Sequence, residues 1–408
     1  MSAACLTRRF LFLAVLVAPA MVSADVVTEW NERALACTTM AKQPPFTATR
    51  TMAMVHTAMF DAVNSIERRY ALYRVKEVAP AGSSPEAAGV AAAHTVLIKL
   101  FPDQKAALDA SYADSLARIP DGSGKASGIA VGESVARQIL ALRAGDGADV
   151  PGNYRPKTTP GDYVPTTLPV ASQWGSVTPW VIERGSQFRP APPPPLTSAE
   201  WAKDYNEIKE VGGKKSTVRT REQTDIARFW TITGPQSWDL IVRQLAAAPG
   251  RTLSENARLF ALVETATADA YIAVFDAKYT FNFWRPITAI RNGDIDGNDV
   301  TVREPDWEPL VDTPLHPEYP CAHCITSAAA AAVLRSEFGE GPIPVVTMTS
   351  PTAPGVERKW TTIQEWADEV SDARICGGLH YRNSTVIGKS MGRQIGELAV
   401  KRYLQPVH

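Results

Sequence analysis

The sequence predicts an all-α fold, a multi-helix bundle of roughly ten or more helices with one core or two tightly packed halves. Three observations carry that expectation. Apolar residues recur at a helical period through most of the 408 residues, and only "PIPVVTMTS" has a strand-like pattern. A composition of 45% hydrophobic and 21% charged residues suits a chain that buries a large core.

The elements follow in order. Residues 1–24 combine the basic start "MSAACLTRR", the apolar run "FLFLAVLVAPA" and small residues ending at Ala24. That pattern is an export signal peptide, and "TRRFLF" also resembles the twin-arginine type, so a secreted or periplasmic protein is expected. The remainder, 25–408, reads as one all-α domain. Its first helical pattern, "TRTMAMVHTAMFDAVNSIERRY", sets Met52, Val55, Met59 and Val63 near one face, and similar stretches occupy 85–100, 104–118 and 124–143.

Residues 151–195 hold 11 of the 31 prolines and cannot be regular helix. With Trp174 and Trp180 inside it, this stretch is expected to be an ordered surface excursion. Helices resume with "LTSAEWAKDYNEIKEVGG", where Thr197 or Ser198 can cap the start and Gly212 the end. They continue through "SENARLFALVETATADAYIAVFDAKYTF", "TSAAAAAVLRSEF" and "TVIGKSMGRQIGELAVKRYL". No internal repeat is evident at this level.

A net charge of -1 gives no field to attract nucleic acid or an anionic membrane. After the signal, no run reaches ~18 apolar residues, so no integral membrane anchor is expected. The sequence sets no oligomeric state. Four cysteines remain after the signal, Cys37, Cys321, Cys324 and Cys376, and they allow three full pairings in an oxidising compartment.

Three segments concentrate chemistry. In 278–286, "KYTFNFWRP", Lys278 and Arg285 lie seven residues apart, close to two helical turns, so one face could present both. The plain alternative is two solvated charges beside a core-facing Phe-Trp pair. In 316–324, "HPEYPCAHC", a helix starting near Cys321 would leave unpaired N–H groups for an anion beside His323. The same C-x-x-C could instead be half a zinc site, a thiol redox pair or a structural disulfide, the last perhaps with Cys376. In 374–384, Arg374 stands six residues before His380, with Gly377 and Gly378 breaking the helix between them.

Taken together, K-x6-R-P, P-C-A-H and R-x5-H resemble the three-part site of the vanadium-dependent haloperoxidases and type 2 phosphatidic acid phosphatases, whose usual forms are K-x6-R-P, P-S-G-H and S-R-x5-H-x3-D. Order and internal spacing agree in all three. The helix "HTAMFDAVNSI", the Pro-rich excursion and "WRPITAIR" also resemble soluble bacterial haloperoxidase-like proteins, so the likeness spans most of 25–408.

That resemblance implies an all-α bundle of the haloperoxidase and acid phosphatase type around one tetrahedral oxyanion, vanadate or, alternatively, phosphate. Lys278, Arg285 and Arg374, with Cys321 and Ala322, match the positions that hold the anion's oxygens. His380 matches the position that binds vanadium or attacks phosphorus, and His323 the acid-base position. With vanadate, the family uses hydrogen peroxide to oxidise halide, which an organic acceptor can capture; Lys278 matches the lysine that polarises peroxide. The alternative is a soluble acid phosphatase acting through a phosphohistidine at His380. His316 falls where bromoperoxidases of this family carry histidine and the fungal-type chloroperoxidase phenylalanine, which favours bromide or iodide; equally, it could only hydrogen-bond its own turn. Three departures stand out. Cys321-Ala322 replaces Ser-Gly, Ala373 replaces the Ser before Arg374, and Ser384 replaces the Asp expected to hydrogen-bond the histidine. A third reading is therefore an inactive oxyanion-binding or thiol-redox protein.

Overall fold

A computed structural model of the chain describes residues 25–407, so the export-signal reading of 1–24 lies outside the described residues. The first group of helices is α1 (Val26–Met40), α2 (Pro45–Glu67), α3 (Pro85–Leu100), α4 (Lys105–Ala117) and α5 (Ser123–Arg143). After the excursion come α6 (Ala199–Gly212), α7 (Arg221–Phe229), α8 (Asp239–Ala246), α9 (Leu253–Phe281) and α10 (Pro286–Arg291). Then follow α11 (Ala322–Phe338), a small hairpin of β1 (Val346–Thr349) and β2 (Glu357–Trp360), α12 (Ile363–Cys376) and α13 (Arg382–Arg402). The strands are antiparallel, with Val346 opposite Trp360. The sequence reading found β1 and not β2, because "ERKW" is polar and short, and its only buried residue is Trp360.

Two helices are buried almost all round, α2 and the 29-residue α9, and they pack on each other at the centre. Thr252 and Glu255 close a capping box at the start of α9, which fixes where this long rod begins. Around α2 gather α3 and α5, and around α9 gather α11 and α13. One hydrophobic core runs through both groups.

The two groups are built the same way, a repetition that the sequence reading did not detect. α5 carries G-K-x-x-G-x-x-x-G-E from Gly124 to Glu133, and α13 carries it from Gly388 to Glu397. In each helix the glycines lie against a partner backbone. A methyl at Gly128 would sit 2.4 Å from the Ser84 carbonyl oxygen, and one at Gly392 would sit 2.1 Å from that of Ile325. No side chain fits, so the helices approach closely, α5 on Ala-rich α3 and α13 on Ala-rich α11. α2 and α9 also share T-A-x-x-D-A, and both aspartates do one job. Asp61 accepts the N–H groups of Tyr73, Arg74 and Val75, and Asp269 those of Trp180, Val181 and Ile182. The repeat escaped notice because its identities are sparse and its segments are spaced differently in the two halves.

Asp269 thereby anchors the Pro-rich excursion, whose Trp174 and Trp180 are buried. Ser198 caps α6. A second, smaller aromatic core of Trp201, Tyr205, Phe283, Trp284, Tyr319 and Tyr381 lies beneath α6 and the turn after α9.

Replacing Gly392 with alanine is expected to destabilise the protein by roughly 1–3 kcal/mol through overpacking against α11. The same change at Gly341, where a methyl meets nothing within 4 Å, should stay within about 1 kcal/mol of wild type. Urea midpoints at constant slope measure both. Equal midpoints for the two variants would mean that the α11–α13 contact relaxes freely.

Candidate functional site

The three segments meet where the C-terminal end of α9, the N-terminus of α11 and the turn between α12 and α13 come together. Lys278 and Arg285 do not share a helix face, contrary to the two-turn expectation. α9 ends at Phe281, Asn282 takes a left-handed conformation, and Arg285 becomes the N-cap of α10. Neither charge is solvated: Lys278 is 0% exposed and Arg285 1%. Both grip the strand of chain that precedes α11. The Lys278 ammonium donates to the carbonyls of Pro317 (2.9 Å) and Glu318 (2.8 Å). Arg285 Nε donates to the His316 carbonyl (2.9 Å) and Nη1 to that of Leu379 (2.9 Å).

Arg374 sits in the last turn of α12 and His380 just before α13. Gly378, at φ 78, lets the chain reverse, and the N–H groups of Leu379 and His380 fold back onto the Arg374 carbonyl. Of the five N–H donors of a guanidinium, Arg374 commits one, to the Trp230 carbonyl at 2.6 Å. Its buried Nε has no partner.

His380 is held at both nitrogens. Nδ1 lies 2.7 Å from Glu318 Oε1, and Nε2 lies 3.2 Å from Arg285 Nη1. Guanidinium can only donate, so Nε2 is the lone-pair nitrogen. Glu318 Oε1 already accepts from the Tyr381 N–H (3.1 Å), so it also accepts from the imidazole. The ring is therefore the Nδ1–H tautomer, with the Nε2 lone pair directed at Arg285 Nη1 and able to act as ligand or nucleophile once that contact is exchanged. Burial first, and then Arg285, Lys278 and Arg374, keep its pKa well below the ordinary imidazole range.

Glu318 was not singled out in the sequence. It is 0% exposed and lies 62 residues from His380. Burial pushes its carboxyl up to about 7, against the pull of Lys278 and Arg285. The only signal available was an acid between prolines in "HPEYP", with nothing local to name its partner.

Cys321 caps α11, and a disulfide joins it to Cys324, with the Cα atoms 5.3 Å apart. That settles the cysteine alternatives against Cys376, which is free and buried, as is Cys37. It also corrects the reading of Cys321 as an anion donor. The bonded sulfur has no hydrogen, and the Cys321 N–H donates to the Ser384 carbonyl (3.2 Å). Among the described residues no group of three or more His, Cys, Asp or Glu could hold a metal, so the zinc reading lapses. Ala322, in the first turn of α11, does line the site cavity.

His323 is next along. Its Nε2 donates to the Ile232 carbonyl (3.0 Å), which leaves Nδ1 as the nitrogen able to exchange a proton. Burial and then Arg374 hold its pKa well below normal. His316 Nδ1 lies 2.9 Å from Arg285 Nη2 and 3.1 Å from the Pro317 carbonyl; one nitrogen can accept from the guanidinium or donate to the carbonyl, not both, and the shorter contact makes it the acceptor of Arg285. Ser384 Oγ is 3.5 Å from His380 Nδ1, a poor contact beside that of Glu318.

His316, Ala322, His323, Arg374 and His380 line one cavity of about 260 Å³, whose remaining wall includes Phe46, Tyr271, Phe275 and Leu315. Arg374 and the exposed Asp312 are in its wall, and Lys278, Arg285 and Glu318 are buried beside the two lining residues His316 and His380. Desolvation, the dominant cause, and then Arg285 push the Lys278 pKa well down; the same two causes lower Arg374. A small oxyanion fits this set, because it would supply the missing negative charge and the acceptors that Arg374 lacks.

Comparison with known proteins finds the same fold elsewhere. Residues 258–408 match the family described as the VCPO second helical-bundle domain. The vanadium chloroperoxidase of Curvularia inaequalis is 27% identical over 217 residues, 45% of this chain and 35% of that enzyme's length. The crystal structure of the first bacterial vanadium-dependent iodoperoxidase superposes with a TM-score of 0.80 at 23% identity, covering 96% of this chain and 99% of the other. A bacterial vanadium-dependent chloroperoxidase in its apo form gives 0.70 at 18% identity, over 88% and 92% of the two chains. Residues 258–408 therefore match the VCPO second helical-bundle domain, and the chain shares the fold of the bacterial vanadium haloperoxidase structures on which it superposes.

Proposed function

We propose that the chain is a vanadate-dependent peroxidase that uses hydrogen peroxide to oxidise bromide or iodide. The observation that carries this reading is the buried excess of positive charge around the lone-pair Nε2 of His380. Lys278, Arg285 and Arg374 would neutralise the oxygens of vanadate, with the Ala322 N–H as a further donor. His380 Nε2 would be the protein ligand. Bound vanadate would supply Lewis-acid activation of peroxide toward halide. His323 Nδ1 takes up and returns the proton of the incoming peroxide, and Lys278, with one N–H not spent on carbonyls, polarises it. The aromatic and aliphatic wall keeps water scarce, which strengthens each of these interactions.

His316 supports bromide or iodide as substrate, since an imidazole tied to Arg285 stands at the cavity in place of an apolar ring. Residues 1–24 support export to the periplasm or beyond the cell. No described helix is long and apolar enough to cross a membrane. Phosphomonoester hydrolysis remains the rival reading, because the same Nε2 lone pair could attack phosphorus.

Bromide- and iodide-dependent oxidation, measured with peroxide and with or without added vanadate, tests the proposal. Activity that needs both vanadate and halide is expected; vanadate-inhibited phosphomonoester hydrolysis without it would select the phosphatase. The variant His380→Ala should lose specific vanadate binding and all turnover. His323→Ala should still bind vanadate while turnover falls roughly 10²-fold or more, and unchanged turnover would remove its assigned role. For Arg374→Ala, calorimetry with orthovanadate should show affinity weakened by roughly tenfold or more, as expected for lost charge-assisted hydrogen bonds.

A further inference from the structure

The position three residues beyond His380-Tyr381, where the related motif has an aspartate, is Ser384 here. A histidine that must present one nitrogen as a lone pair needs something to hold its other N–H, and a serine hydroxyl at 3.5 Å is a weak holder. A carboxylate nevertheless meets that nitrogen. It comes from the chain before α11, not from α13.

We propose that Glu318 is the positioning residue of His380, and that it takes over from position 384 the task of fixing the imidazole's tautomer and direction. Four contacts argue for it. Glu318 Oε1 is 2.7 Å from His380 Nδ1, and both side chains are buried, so no water competes. The same oxygen accepts the N–H of Tyr381, which locates the carboxylate relative to the backbone that carries His380. The Glu318 N–H donates to the Phe283 carbonyl (2.8 Å), and its own carbonyl accepts from Lys278. Glu318 is thus fixed from two sides before it touches the imidazole. Its second oxygen, Oε2, has no partner, so the carboxylate is not consumed by some other ion pair.

The relocation has a consequence for the cage. An aspartate on α13 would move with His380 as one helix start. Glu318 belongs to the segment that Lys278 and Arg285 hold by its carbonyls, so the histidine and two of the cations share one support. The proposal rests on the reading of His380 as the residue that meets the oxyanion.

Four variants test it: Glu318→Gln, Glu318→Ala, Ser384→Ala, and Glu318→Ala combined with Ser384→Asp. Two quantities are read on the apoprotein. The first is the tautomer of His380 from the ¹⁵N shifts of labelled histidine, assigned with His380→Ala; the second is orthovanadate affinity by calorimetry. Glu318→Ala should lose the fixed Nδ1–H tautomer, and both Glu318 variants should bind vanadate roughly 10–100-fold more weakly. Ser384→Ala should stay within about threefold of wild type. The double variant should recover the tautomer and most of the affinity, because an aspartate at 384 reaches the same nitrogen; a purely structural role for Glu318 would not be rescued there. Circular dichroism and thermal unfolding confirm that each compared variant is folded, and should Glu318→Ala fail to fold, Glu318→Gln and Ser384→Ala still decide by their relative affinities. Unchanged tautomer and affinity in folded Glu318 variants, a larger loss from Ser384→Ala than from Glu318→Gln, or no rescue in a folded double variant would each overturn the proposal. If wild type binds no vanadate but the tautomer still depends on Glu318, the functional reading fails and the positioning role stands.

Discussion

The segment His316–Glu318 is where positive charge is fastened, and the site depends on that fastening. Lys278 and Arg285 each lose their hydration on burial, a penalty of several kcal/mol per ion even after relaxation. Three peptide carbonyls from this short segment, with that of Leu379, replace part of the lost water. Carbonyl dipoles soften the charge without cancelling it. Among the described residues Glu318 is the buried carboxyl in contact with this set; burial raises it to about 7, and it meets Lys278 and Arg285 but not Arg374. The protein therefore carries an electrostatic deficit at this point, which an anion of matching size removes.

Such a deficit is tolerable only on a scaffold that cannot relax around it. The glycine ladder of α13 provides this, because backbone packed on backbone leaves no flexible side chain to yield. At the ladder's first rung a methyl on Gly388 would lie 2.7 Å from the Cys321 carbonyl oxygen. Close approach there brings the start of α11 beside the start of α13, which is where His323 and His380 are mounted. The same ladder packs α5 against α3, yet among the described residues that half buries Arg143 and no comparable set of cations. The repeated architecture thus supplies rigidity twice and chemistry once, and the difference lies in the segments leading into the helices.

The helices were legible in the sequence because a helical period is a local signal, and each pattern read between 45 and 143 became a helix within a few residues of its expected ends. The cations and imidazoles were legible too, because each motif keeps its spacing inside one short segment. What could not be read was whatever joins segments across the fold. Glu318 meets His380 from 62 residues away, Arg374 meets a carbonyl from 144 away, and neither distance leaves a trace in the local pattern. The Cys321–Cys324 pairing was open for the same reason, since only the conformation at the start of α11 brings those Cα atoms to 5.3 Å. Lys278 and Arg285 show the opposite error. A helical period was extended across Asn282, where a left-handed residue ends α9, so the right residues were chosen with the wrong geometry.

The substitutions that seemed to weaken the site do so less than their chemistry suggests. Serine at 384 removes a carboxylate from α13, yet a carboxylate reaches the same imidazole nitrogen from the segment before α11. Cysteine at 321 removes a hydroxyl donor, and its disulfide ties the first turn of α11 covalently, with the Cys324 N–H directed at the Cys321 sulfur. Anion binding is then left to charge and to backbone N–H groups, both of which rigid packing aims well. A site built this way loses one neutral donor, worth about 1 kcal/mol, and keeps the charge-assisted contacts, which are stronger individually and more numerous. Because Glu318 lies within the segment that holds two of those charges, any change that shifts this segment would disturb cation placement and imidazole orientation together. Residues remote from the cavity that pack on it, such as Tyr319 in the aromatic core, therefore bear on the chemistry without touching the anion.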